Sequence, residues 1–347
     1  HLGRWPVVTR HRRRYHERMD VVRLGSSGLK VSEICLGTMT FSREADEKTS
    51  FAIMDYYREQ GGFFLDTANI YSAGASEETV GRWIRDRGVR SSVILATKVY
   101  GDMGPGPNDG GLSRYHITTE VENSLRRLQT DVIDLYQIHR WHTGSRIDET
   151  ARALDDLVRA GKVRYIGCSN LRGYQLASYL NYMDSHLLSR FVSLQPAYNA
   201  INRSAELEMF PLVEQEGLGV ISYNPLGAGM LTGKYKRGGE LPESARMQAY
   251  EGYFKRYYTD QALDIAERFV AHAATIGMTP AQLAIAWVQA DSRVTSPIVG
   301  ARNVEQLTDS LGALDRKLSS EERDAVPAMP PGHWVGEDPV YDRTAYK

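Results

Sequence analysis

Cysteine is nearly absent: among 347 residues only Cys35 and Cys168 occur, far apart and in no metal-ligand spacing. A disulfide scaffold and a zinc module are thereby excluded as readings, and a reducing, cytoplasmic setting is expected. Net charge is nearly absent as well. Lysine and arginine number 42 against 43 acidic residues, a formal charge of -1, so nothing global draws the chain to nucleic acid or an anionic membrane. Apolar runs are short. None approaches the roughly 18–20 residues of a membrane span, and no signal-peptide apolar stretch is read near the start.

What is abundant is ordinary globular material, 42% hydrophobic and 24% charged. Residues 1–18, HLGRWPVVTRHRRRYHER, stand apart in composition. They are expected to be a disordered basic extension; the competing reading is an arm for an anionic partner. Residues 19–347 are expected to form one domain.

That domain opens with Val21–Leu24 and Leu29–Val31, a short hairpin around GSSG. Eight cycles of strand and amphipathic helix follow. The strands are expected at Ile34–Gly37, Phe63–Asp66, Val93–Thr97, Ile133–His139, Val163–Ser169, Phe191–Gln195, Gly219–Ser222 and Pro297–Gly300. Most are apolar in succession, the mark of parallel strands covered on both faces.

Helix starts are read from capping signals. Thr119 and Glu122 suit a capping box, Asp148 a second cap and Ser204 a third, while Gly161 stops the helix after Asp148. Eight cycles in about 300 residues fit a (β/α)8 barrel, and its rival, a doubly wound sheet, rarely uses so many uniform repeats. Two connections exceed the usual lengths, Tyr100–Tyr115 and Leu226–Thr259. Both would leave carboxyl ends of strands, the active-site face of a barrel.

Polar residues collect at those same ends. Asp66 closes the second barrel strand, Lys98 follows the third, His139 closes the fourth, and Tyr71 lies on the loop after the second. Each alone has a bland reading: a strand-end carboxylate receiving backbone bonds, a solvated lysine, a packed tyrosine, a structural histidine. Together they are complementary. A lysine cation favours the phenolate, a carboxylate holds the lysine, and a histidine donates to a carbonyl oxygen.

The motifs LGTMTF at Leu36, FLDTANIYSAGASEETVGRWI at Phe64, ATKVYG at Ala96, DVIDLYQIHRWH at Asp131, GKVRYIGCSN at Gly161, SYNPLGAGMLTGKY at Ser222 and SPIVGARNVEQL at Ser296 extend this pattern over nearly all of residues 21–314. The chain resembles the aldo-keto reductases, in particular the bacterial branch akin to potassium-channel β subunits. The resemblance implies a barrel binding NADPH without a Rossmann domain, with NADH used less well and no metal. It implies a catalytic tetrad of Asp66, Tyr71, Lys98 and His139, with Tyr71 as proton donor.

For the cofactor it implies Gly37, Thr38 and Met39 on the first strand, Asp66 beside them, Ser169, Asn170 and Gln195 on the carboxamide, and Tyr223 beneath the nicotinamide. An amide-recognising site needs both donors and acceptors, which Ser, Asn and Gln supply. Asn224, Pro225, Leu226, Gly227 and Gly229 form a loop whose backbone amides suit a pyrophosphate. Thr232 replaces the third glycine of the dinucleotide fingerprint there, so a Rossmann reading is rejected. Lys234 and Arg302 suit the 2'-phosphate. Arg246 joins that clamp or is surface charge. Gly300 and Gln306 complete the adenosine side, and Ser310 departs from the family's asparagine.

Phe41 and Trp141 either line a substrate pocket or pack in the core. The partner expected is a small carbonyl compound, with no nucleic acid or membrane; a homo-oligomer is compatible and undefined. Two alternatives accompany the carbonyl reductase. One is a reductase of nucleotide-linked keto-deoxysugars, implied by the resemblance of GDMGPGPNDGGLSRYHI to loops of actinobacterial reductases that include such enzymes, and the other a redox-sensing nicotinamide-binding module. A metal-dependent hydrolase is discounted, because His139 and His142 are three apart and a strand cannot point both inward.

Overall fold

Parallel pairing runs through all eight of the apolar strands. The structure, a computed structural model, describes residues 18–239 and 251–336. Residues 1–17 of the basic extension and Arg246 lie outside the described residues. Arg18, expected in that extension, belongs to the fold instead: its guanidinium pairs with Asp315 and reaches Gln60.

Strands β1 (Val21–Arg23) and β2 (Lys30–Ser32) form the antiparallel hairpin. The barrel strands are β3 (Cys35–Gly37), β4 (Phe64–Asp66), β5 (Ile94–Val99), β6 (Ile133–Ile138), β7 (Val163–Ser169), β8 (Phe191–Gln195), β9 (Gly219–Val220) and β10 (Ile298–Gly300). Their order is β10-β3-β4-β5-β6-β7-β8-β9. The amide of Ile298 donates to Ser222 O at 2.7 Å, which carries the curl from β9 round to β10. This is the (β/α)8 architecture expected from the strand count.

Two apolar layers follow from the two-residue period of each strand. Cys35, Phe64, Ala96, Leu135, Ile221 and Ile298 face inward and pack on Val22, Leu24, Leu29 and Val31 of the hairpin. The hairpin thus plugs the amino end of the barrel. Residues of opposite parity, such as Leu65, Leu95 and Tyr136, join the helices in the larger outer cluster. Each fully buried aliphatic side chain there contributes roughly 1.5–3 kcal/mol.

Helices α1 (Glu47–Glu59), α2 (Ala75–Arg87), α3 (Arg114–Leu128), α4 (Ile147–Arg159), α5 (Gly173–Ser185) and α6 (Met209–Glu216) clothe the first seven barrel strands. Three cap expectations are corrected. Helix α3 starts at Ser113, whose hydroxyl accepts from the His116 amide at 3.2 Å, leaving Thr119 and Glu122 inside the helix. Asp148 lies within the first turn of α4, paired with Arg146, where a carboxylate still favours the helix dipole. Ser204 opens a 3-10 turn, Ser204–Glu206, because its hydroxyl is donated to Asn202 Oδ1 at 2.7 Å; α6 begins later, at Met209.

The long connection after Leu226 is also not bare loop. It holds a 3-10 segment, Gly227–Thr232, and a helix, Glu251–Tyr257. Among the described residues no single helix is long and apolar enough to cross a membrane.

Candidate active site

The inward parity that buries Phe64, Ala96 and Leu135 sends Asp66, Lys98 and Gln137 into the next layer up, two residues on. Register agrees: Asp66 pairs with Ala96, and Lys98 with Gln137. A lysine and an aspartate are therefore forced into the barrel, Lys98 at 0% exposure and Asp66 at 2%. Burial of such charges is tolerable only when every donor and lone pair is used. Here they are used. The Lys98 ammonium pairs with Asp66 Oδ1 and donates to Thr67 O at 2.9 Å and to Tyr71 Oη at 3.3 Å. Asp66 Oδ2 accepts from Gln195 Nε2 at 2.9 Å and Gln137 Nε2 at 3.2 Å.

Tyr71 begins a 3-10 turn, Tyr71–Gly74, in which Ser72 and Ala73 both adopt φ 51°. Its ring meets His139 edge-on, centroids 5.8 Å apart, and lies 4.9 Å from the Lys98 nitrogen. Burial raises the Tyr71 phenol above its ordinary value while Lys98 pulls it down, and burial prevails. Burial alone would lower Lys98, but Asp66 and Tyr71 hold it above its ordinary value and keep it cationic. Burial, then Lys98 and Arg140, hold His139 well below its ordinary range, so the ring is neutral at physiological pH. The four sequence-predicted residues thus share one small volume. His142 is elsewhere, its Nδ1 on Ser145 Oγ at 2.7 Å and its ring against Tyr100.

A second group adjoins the first. Asn170 Nδ2 donates to His139 O at 2.9 Å and Ser169 Oγ at 3.0 Å, its Oδ1 accepts from Tyr223 Oη at 2.8 Å, and Ser169 Oγ donates to Gln195 O at 2.7 Å. Ser169, Asn170, Gln195 and Tyr223 form a continuous set of amide and hydroxyl groups beside the barrel mouth. A nicotinamide carboxamide, itself donor and acceptor, fits that chemistry. Thr38 braces the edge, donating to Asp66 O at 3.1 Å and sharing a 2.9 Å bond with Ser76; Gly37 is required because a Cβ there would lie 2.6 Å from Ile298. Met39 is partly buried beside them.

The glycine loop differs from expectation. Gly227 and Gly229 donate their amides to Asn224 O and Leu226 O, each at 3.0 Å, and Ala228 donates to Asn224 Oδ1 at 2.8 Å. Those amides close a turn and do not form an open anion cradle. What the loop presents near Gly229 is Lys234, whose side chain a Cβ at 229 would strike at 2.6 Å. Pro225 is buried and Leu226 partly so.

Arg302 stands on a different loop, its amide donating to Gln306 Oε1 at 3.1 Å at the start of the helix Val304–Leu311. Gly300 ends β10 just before it, and Ser310 is buried on that helix. Phe41 takes the packing alternative: it is fully buried in the outer core. Trp141 is partly buried, edge-on to Tyr179 at 5.8 Å.

Three features escaped the sequence reading. Gln137 reads as one polar residue in an apolar run, and only its registry with Lys98 marks it. Tyr253 stands on a helix, Glu251–Tyr257, that the sequence left as loop, stacked on Tyr257 with ring centroids 6.5 Å apart. Behind the Tyr71 turn, Glu77, Glu120 and Arg127 form a buried ionic cluster.

The sequence profile described as "Aldo/keto reductase family" matches residues 33–329. An uncharacterized oxidoreductase, YrpG of Bacillus subtilis, is 40% identical over 313 residues, covering 87% of this chain and 93% of the relative. A "Probable voltage-gated potassium channel subunit beta" of Arabidopsis thaliana is 36% identical, with 86% and 92% covered. The protein Tas of Escherichia coli is 35% identical, with 87% and 95% covered.

Proposed function

Since the chain belongs to the aldo/keto reductase family, we propose that it is an NADPH-dependent reductase of aldehydes or ketones with Tyr71 as proton donor. The observation that carries this reading is the buried Lys98 ammonium, held by Asp66 and donating to Tyr71 Oη at 3.3 Å. Ser169, Asn170 and Gln195 would hold the carboxamide, Tyr223 would support the ring face, and Lys234 with Arg302 would take the 2'-phosphate. When bound, the nicotinamide supplies the hydride that the carbonyl carbon receives.

The chain supplies the rest. Neutral His139 donates a hydrogen bond to the carbonyl oxygen and fixes its position. Tyr71 delivers a proton to that same oxygen, giving the alcohol. Lys98 stabilises the phenolate left behind, and Asp66 keeps the ammonium in place.

The test is NADPH oxidation with a reactive aromatic aldehyde, wild type against Tyr71→Phe, repeated with NADH. Turnover should fall by about 10²-fold or more in the variant, as expected when a general acid is lost, while NADPH affinity stays nearly unchanged. Unaltered turnover would remove Tyr71 from the role. Arg302→Ala should weaken NADPH far more than NADH; equal losses would show that Arg302 does not read the phosphate.

A further inference from the structure

Of the buried ionic clusters outside the proposed tetrad, one adjoins the Tyr71 turn. Glu77 is 0% exposed and Glu120 2%, and both are gripped by Arg127: its Nε donates to Glu77 Oε2 at 2.6 Å and its Nη2 to Glu120 Oε2 at 3.0 Å. Thr97 Oγ1 donates to the other Glu77 oxygen and Asn123 to the other Glu120 oxygen. An ionic group so buried contributes little net stability relative to apolar packing, so its position invites a reason.

That position is directly behind Tyr71. Two residues before the tyrosine, Asn69 is fully buried, and its Nδ2 donates to Glu120 Oε2 at 3.1 Å. The Asn69 carboxamide oxygen has no partner among the described residues, so the side chain serves through its donor. Its backbone amide donates to Lys98 O at 3.1 Å. Three residues after the tyrosine, Gly74 has φ 96°, and a Cβ there would lie 2.8 Å from Arg127 Cδ. Glu77 follows in the first turn of α2. The same side chains therefore hold the turn at both ends.

The turn needs holding. Ser72 and Ala73 sit in the left-handed region without being glycine, at a cost on the order of 1 kcal/mol each, and such strain persists only where the surroundings over-determine it.

We propose that Arg127, bridging Glu77 and Glu120, positions Tyr71 through Asn69 and Gly74, so that the cluster sets the proton-transfer geometry without touching substrate. This rests on Tyr71 being the proton donor. Asn69, Glu120 and Arg127 are positioning residues and not catalytic ones.

Asn69→Ala carries the test, because it removes one hydrogen bond, whereas Arg127→Met strands two buried carboxylates and endangers folding. Steady-state reduction of the aromatic aldehyde should show kcat down by about ten- to a hundredfold, the scale of a small misplacement of a reacting group. KM for the aldehyde and Kd for NADPH should stay put, and the solvent deuterium isotope effect on kcat should rise as proton transfer becomes limiting. Arg127→Lys, which keeps a cation between the carboxylates, should retain more kcat than Arg127→Met. Unchanged kcat and isotope effect in Asn69→Ala, with only Tm lowered, would overturn the inference, as would parallel loss of kcat and NADPH affinity. Tyr71→Phe is run alongside: if it keeps full turnover, the donor reading itself fails, whereas an inactive Tyr71→Phe beside an unimpaired Asn69→Ala overturns positioning alone.

Discussion

At Tyr71 two influences on one phenol compete, and their order fixes a pH profile. Burial raises the phenol above its ordinary value of 10.0, and the Lys98 cation, opposing it, does not win. With Tyr71 as the proposed proton donor, reduction needs its protonated phenol. A raised value extends the protonated form to higher pH, so the alkaline fall in kcat/KM should begin only above about 10. His139 shifts the other way, held well below 6.5 first by burial and then by Lys98 and Arg140. Its neutral form persists to lower pH, so no acid limb should appear near about 6.5. The expected profile for aldehyde reduction is flat across the neutral range. A break near neutrality would show that one of these two residues is not in the protonation state its surroundings favour.

Helices α2 and α3 touch at Gly81, and that contact decides how close the Arg127 cluster can come to the Tyr71 turn. A Cβ at Gly81 would lie 2.3 Å from Arg127 O and 2.7 Å from Leu128 C, backbone atoms that cannot step aside. Gly81→Ala, although better for an isolated helix, should therefore destabilise the fold by about 1–3 kcal/mol through overpacking. Thermal unfolding checks this, and an unchanged or higher Tm would show that the two helices part at little cost. Nothing in the sequence announces this crossing. The strands were legible because parallel strands covered on both faces must be apolar throughout, and the meeting of Asp66 with Lys98 because a charged residue at the end of such a run has nowhere to go but the mouth. Caps were less legible: Ser113, Asp148 and Ser204 all carry capping side chains, yet only Ser113 caps, since Ser204 is drawn to Asn202 and Asp148 to Arg146. The Glu77–Glu120–Arg127 cluster was hidden because its members lie on two helices whose polar residues read as solvent-facing.

At the scale of the whole molecule the barrel is divided between a charged mouth and an apolar floor, and the floor is the hairpin. Gly25, at φ 59°, would place a Cβ 2.4 Å from Gly219 N, so the hairpin is seated hard against β9. The Ser26 amide donates to Gly217 O at 2.8 Å, and Ser296 Oγ donates to Ser32 O at 3.0 Å across 264 residues of chain. This seat has a temporal consequence. Part of the hairpin's seat, at Gly217 and Ser296, is made long after the hairpin itself, so the seat is complete only once the later strands have emerged, and contacts of such span slow folding. In refolding followed by pulsed hydrogen exchange, the Ser26 amide should gain protection late and together with the Ile298 amide, after those of β5 and β6. Early protection at Ser26 would mean that the hairpin docks on a partial barrel and templates its closure.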